Sequence, residues 1–585
     1  MNSILQNQKP VEFFSAERIK IEIDGQQILW RDMNLEIDSK IGEHTIGKIK
    51  YTASPNQLSL YDALIDKKGD KTIVITGRSN ISDEAGNATD KIFLNGVISK
   101  LRIKETKAGA LAVELLCSSK SILLDRIPRY RSFQDPALTY ADIAQEVNKN
   151  YSDGETLVNV GEDMKEIPRM TIQYNETDWE YLKRIASYTG QPLMANSNKV
   201  LVGFFKNMPS QTPNLTYSYF GKETEEERTY YRVEGTEVYS VSTPIKLKIR
   251  NRVSGEEVEN DYYVIESRIH NEGNTLKCEY KLGKQTDYFV DPIPHEKIRG
   301  AVIEARTVHI ARTDESKSEH GRADGSSDNL EGRTIGAKPL NKYIEKAENQ
   351  SQNENIKEKV KTKDIAVMTL DLTEGLMDLG ENGQSFEDKY AGKSYFPYVT
   401  PYSQSNTGFT PAPEVNDRVA LYFPNGNETK AFVIGALNND GNGRFTNPDK
   451  RNFTLGNSQS GANAGKPMYD FTLNSEVFSI SVGSVIDMSS GGSVDISGTS
   501  KVNIDSSGTM DISGTSTVNL KSSGADTNIE GNSEVNMKVS SSKISIDSSS
   551  IGINASDEFT ADADGITIGA GASTVDIKGG EVKIK

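Results

Sequence analysis

Between Phe478 and Leu520, two apolar residues separated by one polar residue recur every eight positions: Phe478/Ile480, Ile486/Met488, Val494/Ile496, Val502/Ile504, Met510/Ile512 and Val518/Leu520. The i, i+2 spacing puts both side chains of a pair on one face of a short extended strand. Most residues between the pairs are Ser, Gly, Asp, Asn and Thr, which suit tight corners. Two apolar side chains per straight segment are a thin core for one chain coiled on itself. Three chains wound about a common axis solve the problem, because each supplies one face of a triangular prism and the pairs meet at the centre. Every strand then has a neighbour above and below, and no sheet edge is left along the shaft. With strands stacked at roughly 4.8 Å, about thirteen octads would build a rod on the order of 60 Å. A looser continuation through Val535/Met537, Ile544/Ile546, Ile551/Ile553, Ile566/Ile568, Val575/Ile577 and Val582/Ile584 keeps nearly the same step. Ser/Gly-rich composition alone reads as a flexible linker. The register of the pairs argues instead for an intertwined triple-stranded β-helix, a rigid needle over 471–585.

The rest of the chain reads as several domains, since single cores rarely grow past about 250–300 residues and this chain has 585. The apolar share of 35% and mean hydropathy of -0.54 fit a large polar region. A formal net charge of -16 gives no basic footprint for nucleic acid. Two cysteines, Cys117 and Cys278, exclude a disulfide framework and favour folding in the cytoplasm. The stretch MNSILQNQKPVEFF lacks the apolar core of a signal peptide, and no run reaches the roughly eighteen apolar residues of a membrane helix.

Residues 1–296 read as strands with two good helices, a mixed α+β region of barrel-like or meandering sheet. In LTYADIAQEVNKNYSDG, Thr139 can cap a helix whose Tyr140, Ile143, Ala144 and Val147 share one face. In TIQYNETDWEYLKRIASYTGQPL, Thr177 and Glu180 form a capping box, Trp179, Leu182, Ile185 and Ala186 form the buried stripe, and Gly190 ends the helix. Residues 297–440 hold five short strands, one before a polar insertion at about 312–363 and four after it, which fits a small Greek-key barrel of the OB type. Residues 441–470 read as a linker. The fold class expected is therefore mainly β, with an α+β N-terminal base, an OB-fold barrel and a C-terminal β-prism.

Catalytic constellations are missing from the pattern, and neither a metal nor a cofactor is expected. His295-Glu296 lacks the second histidine of a zinc-protease helix. Asp562, Asp564 and Gly565 echo a calcium loop without its further ligands, so turn chemistry explains them better. Glu176, Asp178 and Glu180 stand in a helix's first turn, where the backbone favours negative charge. Cys117 lies in the apolar run LAVELLCS and is expected in the core. Tyr174 and Trp179 are expected as core and interface aromatics. The Ser-rich tract has no histidine with which to assemble a triad.

With these parts in order, the chain resembles the central spike proteins of contractile injection systems, the VgrG proteins of type VI secretion and the fused spikes of phage tails. PAPEVNDRVALYFPNGNETKAFVIGALNND is similar to the family's OB-barrel signature, with Asn416 where glycine is usual. TIQYNETDWEYLKRIASYTGQPL is similar to its base-domain motif, with Tyr181 where phenylalanine is common. The polar insertion has no counterpart in the family pattern. The resemblance implies a non-enzymatic homotrimer whose base presents two similar barrels per chain to a hexameric tail-tube protein, and whose OB domains form a collar. Baseplate proteins and effectors are further implied partners, and the needle would cross a target membrane only transiently. A PAAR-like tip protein is expected on Val582, Lys583, Ile584 and Lys585, the last residues in octad rhythm. Assembly in the cytoplasm followed by ejection is implied. Sheath contraction would drive it. A spike of an extracellular phage-tail-like particle or tailocin, and a trimeric adhesin or tail fibre, stay open as alternatives.

Overall fold

The computed structural model describes most of residues 12–312 and 366–437, short stretches at 334–335, 338–339, 451–457 and 467–473, and most of 478–530. Most of the polar insertion lies outside the described residues. The chain is mainly β. It divides into two compact units, Met1–Ser481 and Val482–Lys585.

The first unit is built around a closed ring of eight antiparallel strands: Phe14–Ile23, Thr72–Ser82, Ala88–Glu105, Leu111–Ser119, Ile46–Ala53, Trp30–Lys40, Glu257–Glu272 and Thr275–Gly283. Ser15 pairs with Thr275 and shuts the ring. Closure gives these strands partners on both sides, which suits the strict alternation in Ile46–Ala53, where Gly47, Ile49, Tyr51 and Ala53 face in. The same sheet continues past the ring at Glu257–Glu272 and Thr275–Gly283. Tyr219–Glu225 and Arg228–Gly235 extend from one of them and Pro244–Arg250 from the other.

Two of the three helices in this region, α2 (Tyr140–Asn148) and α3 (Asp178–Ser187), begin at Thr139 and Thr177, each closed by a reciprocal capping box. Together with a short sheet of Val158–Val160, Leu193–Ala195 and Val200–Val202 they enclose their own apolar core. Helix α1 (Leu58–Asp66) is an addition to the two helices expected. It has no side-chain cap and buries only Tyr61 and Leu64, so its sequence signal is weak.

A second closed ring follows. Its strands run in the order Tyr395–Phe396, Ala366–Asp371, Val302–Arg312, Arg418–Tyr422, Phe432–Ala436. A parallel bridge from Tyr398 to Val433 joins the two ends. One strand precedes the polar insertion and four follow it. The short helix α4 (Thr373–Met377) lies so close to the first strand that a Cβ on Gly375 would overlap the Glu304 carbonyl oxygen. Asn416 has φ +72°, a left-handed conformation that glycine adopts freely and asparagine tolerates better than other residues.

Beyond the second ring, Arg451–Asn457, Pro467–Leu473 and Phe478–Val482 form a three-stranded sheet. In the second unit the described chain over 485–530 holds no helix or strand, with bends at 491–492, 499–500, 507–508, 515–516 and 523–525. The bends repeat at the eight-residue step of the apolar pairs.

Candidate functional site: the octad tract and the base–barrel joint

The twelve residues expected in the needle core are not buried in the single chain. Phe478, Ile480, Ile486, Met488, Val494, Ile496, Val502, Ile504, Met510, Ile512, Val518 and Leu520 are instead 45–69% exposed. Within one chain nothing covers these side chains, so the core expected of them is not formed by the chain alone. Within each repeat from Ile486 onward, the first residue of the pair is the less exposed and the second the more exposed. Val494 at 52% precedes Ile496 at 64%, for example, so each octad adopts the same local shape. Among the described residues, 485–530 forms no strand ladder. A chain in this state leaves its apolar side chains in water. Burying each such side chain is worth about 1.5–3 kcal/mol. Val582, Lys583, Ile584 and Lys585 lie outside the described residues, as do Asp562, Asp564 and Gly565.

In the first unit, the motif from Gln173 to Arg184 makes the joint between the base and the second ring. The strand Thr171–Glu176 pairs with Arg129–Phe133. Met170 and Ile172 from this hairpin share an apolar core with Ile303, Met368, Leu370, Phe396 and Leu421 of the ring. At its centre lies Arg184, 1% exposed. Its Nε and Nη2 donate to the two Glu176 carboxylate oxygens at 2.7 and 2.8 Å, and Nη2 also donates to the Ile172 carbonyl at 2.8 Å. Its Nη1 donates at 2.6 Å to Glu428, a fully buried residue in the NGNET turn of the ring. One guanidinium thus holds a carboxylate from each side of the joint. Burial raises the Glu176 carboxyl, and Arg184 pulls against that rise.

The other motif residues build the same support. Asp178 accepts from Arg131 at 2.7 Å, the Tyr151 hydroxyl at 2.7 Å and Gln173 at 3.0 Å, and pairs with Arg129 at 3.2 Å. Glu180 accepts from the Thr177 amide at 2.9 Å and from Lys297 at 2.7 Å. The three carboxylates therefore have structural partners. Trp179 is buried against the His44 ring, with centroids 4.1 Å apart, and Tyr174 packs edge-on against Tyr130 at 5.4 Å.

His44 also bridges Ser121, at 2.8 Å from Nδ1, and Asp125, at 3.2 Å from Nε2. That chain has the residue types of a hydrolytic triad. Ser121 is 2% exposed and in contact with Ser119, however, and Asp125 also accepts from Thr177. The Ser121 hydroxyl is buried, and the cluster ties the first ring to α3. Cys117 is fully buried beside the Gly47 carbonyl, and burial pushes its thiol up to about 12. A groove of about 320 Å³ runs between Lys40, His44, Arg232, Glu266, Arg268 and Glu279. Its Lys40, Arg232 and Arg268 are paired with neighbouring carboxylates. Among the described residues, no group of three His, Cys, Asp or Glu is placed to hold a metal.

Arg184 is the functional residue that sequence patterning misses. It lies off the apolar stripe of α3, on the side a surface helix would turn to water. The second ring covers that side. A single cation on that side of the helix carried no signal of its own, and neither did Glu428 in a turn.

No family model matches the chain, and no curated protein matches it. Solved structures similar to it include the E. coli c3393 protein, described as a type VI secretion component similar to the T4 phage tail proteins gp27 and gp5. That match has 11% identity, covers 72% of this chain and 100% of that one, and has a TM-score of 0.45. A Francisella PdpA–VgrG complex, in its lidded form, matches at 11% identity over 81% of this chain and 77% of that one, with a TM-score of 0.46. A tail protein from Neisseria meningitidis matches at 10% identity over 48% of this chain and 98% of that one, with a TM-score of 0.35.

Proposed function

We propose that this chain is the subunit of a homotrimeric spike of a contractile injection apparatus, of the type VI, VgrG-like kind, with a mechanical rather than catalytic role. One observation carries the reading: apolar pairs and backbone bends share an eight-residue step in a tract that buries neither its side chains nor its backbone within one chain. Three intertwined copies satisfy both needs at once. The second ring, of OB type in this reading, forms the collar above the needle, and the first unit docks on a hexameric tube. Effectors and a tip protein travel with it, the tip protein seated on the Val582–Lys585 end. The structure that results is stiff along its axis, as a puncturing element must be.

Mass measurement of the purified full chain tests this. Three times the 64.4 kDa chain mass is expected at micromolar concentration. A monomer under those conditions refutes the intertwined needle.

A further inference from the structure

His295 sits in the joint with both of its polar side-chain atoms left over. The residue is 1% exposed, and neither Nδ1 nor Nε2 has a hydrogen-bond partner among the described residues. Its backbone amide donates to the Gly426 carbonyl at 2.8 Å, and a Cβ on Gly426 would meet the His295 backbone at 3.1 Å. The NGNET turn is thus packed directly on the His295 segment.

The groups facing it come from every side of the joint. Glu176 Oε2 on the base strand is 3.4 Å from Nε2. Arg184 stands on α3 with Tyr188 and Glu180 around it, Glu428 on the turn, and Lys297 on its own segment. Both nearby carboxylates, Glu176 and Glu428, are already held by Arg184. Burial, then Arg184 and Lys297, push the imidazole down to about 2. In water it titrates near 6.5.

We propose that His295 is an acid-sensing latch: the closed joint holds its buried imidazole neutral beside carboxylates already taken up by Arg184, and in acid the proton that this ring accepts only when exposed favours the parted joint. The sign follows from linkage. A base with a depressed value in the closed state contributes stability that is fully present above about 6.5 and is lost progressively as the pH falls below it. Glu176 works in the opposite sense, since its raised carboxyl lets the closed joint keep a proton. Comparison with a chain lacking the imidazole cancels that term. The proposal does not depend on the spike assignment, and the mass measurement above leaves it untouched.

The experiment is amide hydrogen exchange on the full chain, corrected for intrinsic rates, at pH 7.5 and 5.5. The strands to follow are Thr171–Glu176 and Arg418–Tyr422, with Ile46–Ala53 as an internal reference. Wild-type protection at the joint should fall about tenfold more between the two pH values than in His295→Gln or His295→Leu. An equal fall in wild type and variants overturns the latch. Histidine-selective NMR on the wild type decides the matter even where the variants fail to fold. Of the five histidines, His295 should stay neutral at pH 5.5 in the folded chain, and a charged His295 in the closed joint overturns the proposal.

Discussion

Replacing Arg184 with methionine strips the joint of its cation and strands two carboxylates. Glu176 is 5% exposed and Glu428 fully buried, so neither recovers water when the guanidinium goes. The change removes the paired bonds to Glu176 at 2.7 and 2.8 Å, the 2.6 Å bond to Glu428 and the 2.8 Å bond to the Ile172 carbonyl. Removing one partner of a buried ion pair costs about 3–5 kcal/mol, and the second stranded carboxylate puts Arg184→Met at the upper end. Neutralising all three members, as Arg184→Met with Glu176→Gln and Glu428→Gln, leaves no buried charge and should recover most of that loss. Urea unfolding followed by tryptophan fluorescence measures it. The chain has two tryptophans, and in a Trp30→Phe background the remaining Trp179 reports from the helix that carries Arg184. With a slope near 2 kcal/mol per molar, the single variant's midpoint should fall by about 2 M. A loss below about 1 kcal/mol, or a triple variant no more stable than the single one, refutes charge compensation as what holds the joint.

Aspartate at Ile504 and Ile512 together should reduce the assembled mass to that of one 64.4 kDa chain, whereas Asn503→Ser, between two inward positions, should leave it unchanged; light scattering distinguishes the two. Asn416→Gly should be neutral or stabilising by a few tenths of a kcal/mol, and Asn416→Val should cost about 1–3 kcal/mol, because its φ is +72°; thermal unfolding reads both. Gly375→Ala should destabilise the second ring by about 1–3 kcal/mol, since the new Cβ overlaps a backbone oxygen that has nowhere to go; exchange in Val302–Arg312 would register it.

The local parts of this fold are written in short windows. Thr139 and Thr177 start their helices, Ile143 and Val147 face inward, and Gly190 lies in the left-handed region just past α3. What escapes a linear reading depends on distant partners. Ser15 meets Thr275 to close the first ring, and no periodicity near either residue encodes that pairing. Val200–Val202 reads as one more strand of a meander, yet it pairs in parallel with Val158–Val160 in the helical layer. Arg184 looks like a solvated charge until Glu428, 244 positions away, arrives beside it. In the candidate site the apolar pairs were legible because the signal repeats, while the joint was not, because each of its charges occurs once. Ile480, Met488 and Ile496 are a different case, since nothing within the chain covers them.

The shared step of bends and pairs makes eight residues the natural unit of change in this tract. Removing one whole octad would shorten the rod by one layer and leave every later side chain facing as before. Removing four residues would bring turn formers to the axis and swing Val and Ile toward water along everything that follows. Length can thus drift in whole steps with little effect on stability, while its phase cannot drift at all. A lineage of such chains would be expected to differ in how many lines it counts, and to agree in where each line breaks.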